Sequence, residues 1–409
     1  MKVLEKKITT NNIKNKMEKN TILKNKTNNP QTTDEIDNNN NEFKYLKELC
    51  SRTNLELVRK NPLGNGGYSK VYLLQSSNHK NFFACKLLIL PPIKDKKDYY
   101  NYRYRAAIAY RDSVFSLNAR YPSMIKCYAK YKLQDNIYAL VMQKANATLQ
   151  DLIKYFYDKK KLFSFINYNL RKQMSDNFIL FYLYQMLKCF KSLKEMCWVH
   201  FDIKPDNFLL FGNEIKLSDF SLCDFIPNIG KTKLLPAGTP SFMPIESINA
   251  ETVENKELYK VDFFSLGCIL YKMKFNENVY KNNKNEDSNK VNKEKLILKE
   301  IEEKIDKLNN DSSFLNKKRK KEDNLNYIIQ RLLEPNIKNR MSFNELFENS
   351  FLNNNKKKIT MIENNNSEVD VNKLLIELQK PEISRKKKHK IKFFWILFIK
   401  IYNNEISFL

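Results

Sequence analysis

The stretch "WVHFDIKPDNFLLF" carries Asp202, Lys204 and Asn207 in one short run, and Asp219 follows in "IKLSDFSLCDF". Two carboxylates, an amide and an ammonium at this spacing can take up a proton, neutralise an anion and offer the hard oxygen ligands that Mg²⁺ prefers. Upstream, "LGNGGYSKVYL" gathers Gly64, Gly66 and Gly67. Without side chains there, backbone N–H groups can approach phosphate oxygens. Lys86, in "FACKLL", follows Ala84 and lies among apolar neighbours, which suits a buried, aliphatic-lined cation. Taken singly, each feature also has an ordinary reading. Glycine turns between strands are common, a strand lysine is usually a solvated edge charge, and an Asp after a short apolar strand is usually a turn residue.

The elements that must position these residues are readable from periodicity. "LELVRKNPLGNGGYSKVYLLQSS" alternates apolar and polar residues on both sides of the glycines, as strand–loop–strand does. "NFFACKLLIL" is a third strand, stopped by Pro91 and Pro92. Residues 98–119 read as a helix, and "MIKCYAKYKLQDNIYALVMQ" as two strands of a hairpin. After Gln143 the character changes. Thr148 and Asp151 form a capping signature for a short helix, and "SDNFILFYLYQMLKCFKSLKEM" is a long helix, with apolar positions near a 3.6 period. Helices dominate from there to residue 352. The pattern is a small sheet lobe followed by a larger helical lobe.

Composition bounds the rest. The 409 residues carry a formal charge of +26 with 42% hydrophobic residues. That field favours acidic partners, yet lysine-rich low-complexity sequence explains it equally, and nothing reads as a sequence-specific nucleic-acid motif. Residues 1–45, 353–409 and about 276–323 are rich in Asn, Lys, Asp and Glu. Such runs bury too little apolar surface to offset ordering entropy and are expected to be tails and an insertion, with "LILKEIEEKIDKL" as one helix within the last. Seven scattered cysteines without a CxxC pair suggest free thiols in a reducing compartment. The first residues lack an apolar signal segment, and no apolar run reaches the length of a membrane span. An intracellular, cytoplasmic protein is expected, with nuclear residence open.

Read position by position, "HFDIKPDN" resembles the protein-kinase catalytic loop H-R-D-L-x-x-x-N. "LGNGGYSKV" resembles the Gly-rich loop G-x-G-x-x-G-x-V, with Ser69 at the third glycine, and "FACK" resembles the V-A-I-K strand. "DFS" resembles D-F-G, with Ser221 for the glycine. "GTPSFMPIE" resembles G-T-P-x-Y-M-A-P-E, "VDFFSLG" resembles D-x-W-S-L-G, and "RLLEPNIKNR" resembles L-L-x-x-D-P-x-x-R. These motifs cover about residues 55–352 in the family order, so the chain is identified as resembling the eukaryotic protein kinase superfamily.

The resemblance implies an α+β, bilobal protein kinase fold over residues 46–352, with an N-lobe to about 143 and a C-lobe beyond. It implies ATP and Mg²⁺ as cofactors and protein Ser/Thr hydroxyls as substrate. Asp202 orients the hydroxyl proton, Lys204 lies near the γ-phosphate, and Asn207 and Asp219 hold the metal. Nucleotide contacts fall on Leu63, Gly64, Asn65, Gly66, Gly67, Tyr68, Ser69, Val71, Ala84, Met142 and Leu209, with Lys86 on the α- and β-phosphates. Counting back from "YPSMIKCY", the helix Glu that anchors this lysine falls on Asp112, one methylene shorter; a plain surface Asp is the other reading. Arg340 is placed to pair bidentately with Glu246.

The departures concern control more than chemistry. Phe201 stands where the family arginine binds a phosphorylated activation loop, so loop phosphorylation is not expected to be the switch. Lys204 follows the Ser/Thr pattern, and Leu222 resembles kinases that prefer Ser. The alternative is a pseudokinase scaffold, suggested by Asp112, Phe201, Ser221 and Pro244-Ile245; a small-molecule kinase fits less well. A monomer is expected. "RKKKHKIKFFWILFIKIY" (385–402) suits weak contact with an anionic membrane surface, a nuclear signal, or a terminal element docked on the domain.

Overall fold

A computed structural model describes residues 33–66, 69–89, 111–112, 115–116, 121–134, 136–164, 174–227, 229–281, 290–310 and 324–355. Gly67, Tyr68, most of the expected 98–119 helix and the 385–402 segment lie outside them.

The N-lobe is an antiparallel sheet beneath a helix. Helix α1 (Thr33–Ser51) leads into β1 (Leu55–Leu57), β2 (Gly64–Asn65), β3 (Ser69–Ser76), β4 (Phe82–Ile89), β5 (Cys127–Gln134) and β6 (Ile137–Gln143). The strand order is β1-β3-β4-β6-β5, with β2 hydrogen-bonded to β3. Alternation sorts the side chains onto two faces. Tyr72, Leu74, Cys85, Leu87, Ala139 and Val141 bury one face against Leu46 and Leu49 of α1. Leu88, Leu140 and Met142 join the core of the second lobe from the other face.

Helix α1 corrects the expected boundary at residue 45, which falls inside it. Leu46 and Leu49 lie one turn apart and are fully buried, a contribution of about 1.5–3 kcal/mol each. Composition averages over every face of a segment, whereas burial needs only one.

The C-lobe begins with β7 (Ala147–Thr148) and α2 (Leu149–Ser164). The expected cap is present: Asp151 N donates to Thr148 Oγ1 at 3.0 Å, and Thr148 N to Asp151 Oδ2 at 2.9 Å. Helix α3 (Asp176–Glu195) starts at Ser175, whose side chain accepts from Phe178 N, and is apolar around most of its circumference because it lies at the centre of the lobe. Strands β8 (Trp198–Val199), β9 (Phe208–Phe211) and β10 (Glu214–Leu217) follow, with β7, β9 and β10 forming one small sheet. Leu217 ties the lobes: it donates to Ser123 O at 2.9 Å and accepts from Ile125 N at 2.8 Å.

Beyond them come β11 (Asp224–Phe225), β12 (Lys231–Lys233), α4 (Ile245–Ile248), β13 (Thr252–Glu254), α5 (Tyr259–Phe275), α6 (Lys290–Asn309), α7 (Leu325–Leu332) and α8 (Phe343–Phe347). At Gly267 of α5 an added Cβ would lie 3.0 Å from Leu332 Cβ, so any larger residue would push α5 and α7 apart by a few tenths of an ångström. Within the stretch at 276–323 the helix expected over 296–308 is present as α6, while the part expected as an insertion loop is partly core. Val279 and Tyr280 are buried, and so are Ile297, Ile301 and Leu308 on one face of α6. Tyr280 Oη donates to Met243 O at 2.5 Å. Arg340 uses all five N–H donors: Nη1 and Nη2 reach Glu246 Oε1 and Oε2 at 2.7 and 3.1 Å, and the other three bonds go to carbonyls of Glu334, Lys260 and Pro335. Among the described residues no helix is long and apolar enough to cross a membrane.

Candidate active site

Lys86 lies in mid-strand on β4, opposite Val71 of β3 and Leu140 of β6. Its Nζ is 2.6 Å from Asp112 Oδ2 and 2.8 Å from Asp219 Oδ1. Asp112 is helical and 1% exposed. Its Oδ1 accepts from Phe220 N at 3.1 Å and Ser116 Oγ at 3.3 Å. The shorter carboxylate therefore reaches the lysine and also grips the backbone just after Asp219. Burial disfavours the Lys86 ammonium, but the charges of Asp112 and then Asp219 outweigh it and push its pKa up. Burial acts to raise Asp219, yet Lys86 overrides it and holds this carboxyl below the usual range.

A second cluster surrounds Asp202. Lys204 Nζ donates to Asp202 Oδ2 at 2.7 Å and to Thr239 Oγ1 at 2.9 Å. Thr239 donates to Asp202 Oδ1 from its N–H at 2.9 Å and from its hydroxyl at 2.7 Å. Asn207 Nδ2 donates to Asp202 O at 2.7 Å and Oδ2 at 3.3 Å. Gly238, at φ 121°, makes this approach feasible, since a Cβ there would lie 2.8 Å from Phe201 O. Asp262 holds the loop from beneath, accepting from His200 N at 2.7 Å and Phe201 N at 2.9 Å. Burial pushes the Asp262 carboxyl up to about 7 against those two donors.

The donor set suits a hard cation. Asn207 spends its amide nitrogen on Asp202, and Lys86 takes only Oδ1 of Asp219. Among the described residues, Asn207 Oδ1 and Asp219 Oδ2 accept no hydrogen bond, which leaves two hard oxygens uncommitted. Ser218 links their backbones, donating to Asn207 O from both its N–H and its hydroxyl at 2.9 Å.

The other expected contacts that are described lie on or beside β2, β3, β4 and β6 of the N-lobe sheet and on β9 of the C-lobe. Ala84 pairs with Met142 across β4 and β6, and Val71 pairs with Gly64 across the β2–β3 hairpin. Leu63 N donates to Val71 O at 2.6 Å, and Gly66 N to Ser69 O at 2.7 Å, while Gly64 and Asn65 are exposed. Leu209 lies on β9, paired with Thr148 and Lys216.

Phe201, at φ 61°, packs against Val199, Ile226, Leu234, Val253, Leu258 and Val261. An apolar cluster thus stands beside the loop where the family arginine would meet a phosphate. The segment above it is pinned further by β12 pairing with β13, and by Asn255. Asn255 Nδ2 donates to Pro227 O at 3.1 Å and Ile229 O at 2.9 Å, and Thr232 Oγ1 donates to Asn255 Oδ1 at 2.7 Å. Sequence reasoning missed Asn255, because one asparagine in an Asn-rich chain carries no signal. It missed Tyr280 because its neighbours are low-complexity. It missed Glu42 because a polar tail was expected there.

The chain is similar in sequence to known proteins. Serine/threonine-protein kinase mph1 of Schizosaccharomyces pombe is 28% identical over 242 residues, covering 56% of this chain and 32% of that protein. An Aurora kinase of Eremothecium gossypii is 26% identical over 212 residues, covering 52% and 50%. A Mus musculus protein named inactive serine/threonine-protein kinase PLK5 is 23% identical over 210 residues, covering 51% and 31%. The chain spans half or less of the length of these relatives. The family model described as protein kinase domain matches residues 57–352, and the chain belongs to the eukaryotic protein kinase superfamily.

Proposed function

We propose that the chain is a catalytically competent Ser/Thr protein kinase whose activation segment needs no phosphate. The observation that carries this reading is the closed ion-pair triad of Lys86, Asp112 and Asp219, at 2.6 and 2.8 Å. Phosphoryl transfer asks the protein mainly for positioning and charge stabilisation. Lys86, fixed by two carboxylates, offers its ammonium to the α- and β-phosphates. Asp202, held by Thr239, Lys204 and Asn207, receives the proton of a substrate hydroxyl as its oxygen bonds the γ-phosphorus and the bond to the bridging β–γ oxygen breaks, releasing ADP. Lys204 lies beside Asp202 and meets the charge on the transferred group. Mg²⁺, held by Asn207 and Asp219, would neutralise the phosphate oxygens. The Ser/Thr assignment draws on Lys204 and on the name of the mph1 relative. The apolar packing of Phe201 supports independence from loop phosphate.

A pseudokinase scaffold is the second reading, favoured by Phe201 and Ser221 and by likeness to a relative named inactive. Transfer of labelled phosphate from Mg·ATP to a generic basic protein tests both, with wild type beside Lys86→Met, Asp202→Ala and Asp219→Asn. Transfer by the wild type that is lost in Asp202→Ala, with nucleotide binding retained, is the expected result. Nucleotide binding without transfer by the wild type would establish the scaffold instead.

A further inference from the structure

Helix α1 crosses the outer face of the N-lobe sheet from β3 to β5. Midway along the helix Glu42, 8% exposed, accepts from Tyr72 Oη at 2.6 Å and pairs with Lys70 Nζ at 2.7 Å. One turn on, Tyr45 Oη donates to Gln134 Oε1 at 3.4 Å, and just past the last turn Arg52 Nη1 donates to Lys132 O at 3.2 Å. Between Glu42 and Arg52, Leu46 and Leu49 are seated with no exposed surface. The two residues that Glu42 holds are alternate positions on β3, so both point outward. Lys70 immediately follows Ser69 and pairs with Asn65 of β2, the pair that closes the glycine-bearing turn. On the inner side of the same strand Val71 faces Lys86 across the β3–β4 ladder.

Among the described residues, few other side chains fix this hairpin. Gly64 and Asn65 are exposed, and Gly66 is tied only through its backbone. We propose that α1 is a strut and Glu42 a positioning residue for nucleotide phosphates: it fixes the angle of the β2–β3 hairpin through Lys70 and Tyr72 without touching the ligand. The inference rests on the kinase reading, since it presumes that phosphates lie beneath the hairpin. Its signature is specific to phosphate. A cap that merely stabilised the fold would change the affinities for ATP and adenosine alike, or neither.

The test is equilibrium binding of Mg·ATP and of adenosine to the full chain, comparing wild type with Glu42→Gln, Glu42→Ala and Lys70→Met. Glu42→Ala is expected to weaken ATP about fivefold, equivalent to about 1 kcal/mol, with adenosine unchanged. Glu42→Gln keeps an acceptor for Tyr72 and is expected to weaken ATP about twofold, the share of the lost ion pair. Combining Glu42→Gln with Lys70→Met should add little to either alone, because the two residues form one pair. An unmoved ratio of ATP to adenosine affinity in all variants, with melting temperature lowered, overturns the inference alone. A wild type that binds neither ligand overturns the kinase reading and this inference with it.

Discussion

Restoring the family carboxylate at position 112 is expected to damage this protein. Glutamate stands there in the family, so Asp112→Glu would ordinarily be read as a repair. Here Asp112 is 1% exposed, with Lys86 Nζ at 2.6 Å, Phe220 N at 3.1 Å and Ser116 Oγ at 3.3 Å. An added methylene moves the carboxylate by about 1.5 Å, which drives it past the lysine or off the Phe220 amide. Overpacking a full site costs about 1–3 kcal/mol, and a hydrogen bond to a charged acceptor contributes about 1.5–3 kcal/mol. With partial relaxation, a net loss of about 2 kcal/mol for the active arrangement corresponds to roughly a 30-fold fall in kcat/KM for Mg·ATP. The assay is steady-state phosphate transfer alongside urea unfolding, with Asp112→Asn as the isosteric, uncharged comparator. A glutamate variant that equals or exceeds the wild type would refute the claim that this helix is set for the shorter side chain.

Arg340→Ala leaves Glu246 buried and unpaired and frees three carbonyls. It should cost about 3–5 kcal/mol, read as a melting temperature lower by on the order of 10 °C; a loss below about 1 kcal/mol would contradict the assignment. Thr232→Asp should not raise activity many-fold, because Thr232 already bonds Asn255 and Phe201 offers no cation to a charge. Thr239→Asp should abolish transfer by setting a second carboxylate against Asp202; survival of activity would count against the Asp202 cluster. The Asp219 carboxyl is held below its ordinary value by Lys86. The pair's contribution to stability is therefore complete above the unfolded carboxylate pKa of about 3.9 and lost as pH falls towards the folded value. Asp219→Asn should flatten that acid limb in urea titrations, and an unchanged slope would argue against the pairing.

The residues gathered at the site were legible because most of them fall at short spacing. Asp202, Lys204 and Asn207 share one loop, and the backbone at Ser218 then ties Asp219 to it. The pairing of Arg340 with Glu246 was legible through motif order, although their sequence separation of 94 residues hides it from any local pattern. Other features were not legible. Helix α1 and the Val279–Tyr280 anchor lie in polar, lysine- and asparagine-rich sequence whose averaged composition suggests no core. Their burial depends on one or two apolar residues that meet a surface supplied from elsewhere in the chain. Asn255 is invisible for the same reason: its partners at Pro227, Ile229 and Thr232 are backbone and hydroxyl groups brought to it by folding.

Sequence alone therefore identified the two-lobed kinase fold and named the groups proposed to act on a phosphate, because charge, hardness and backbone freedom are properties of residue types. Distances belong to the fold. Folding brings Asp112 within 2.6 Å of Lys86 despite its short side chain, and sets Phe201 into an apolar cluster rather than leaving an empty phosphate site. It also braces the glycine hairpin from outside with a helix the composition had concealed. Each of these turns on which surfaces meet, and long-range packing settles that.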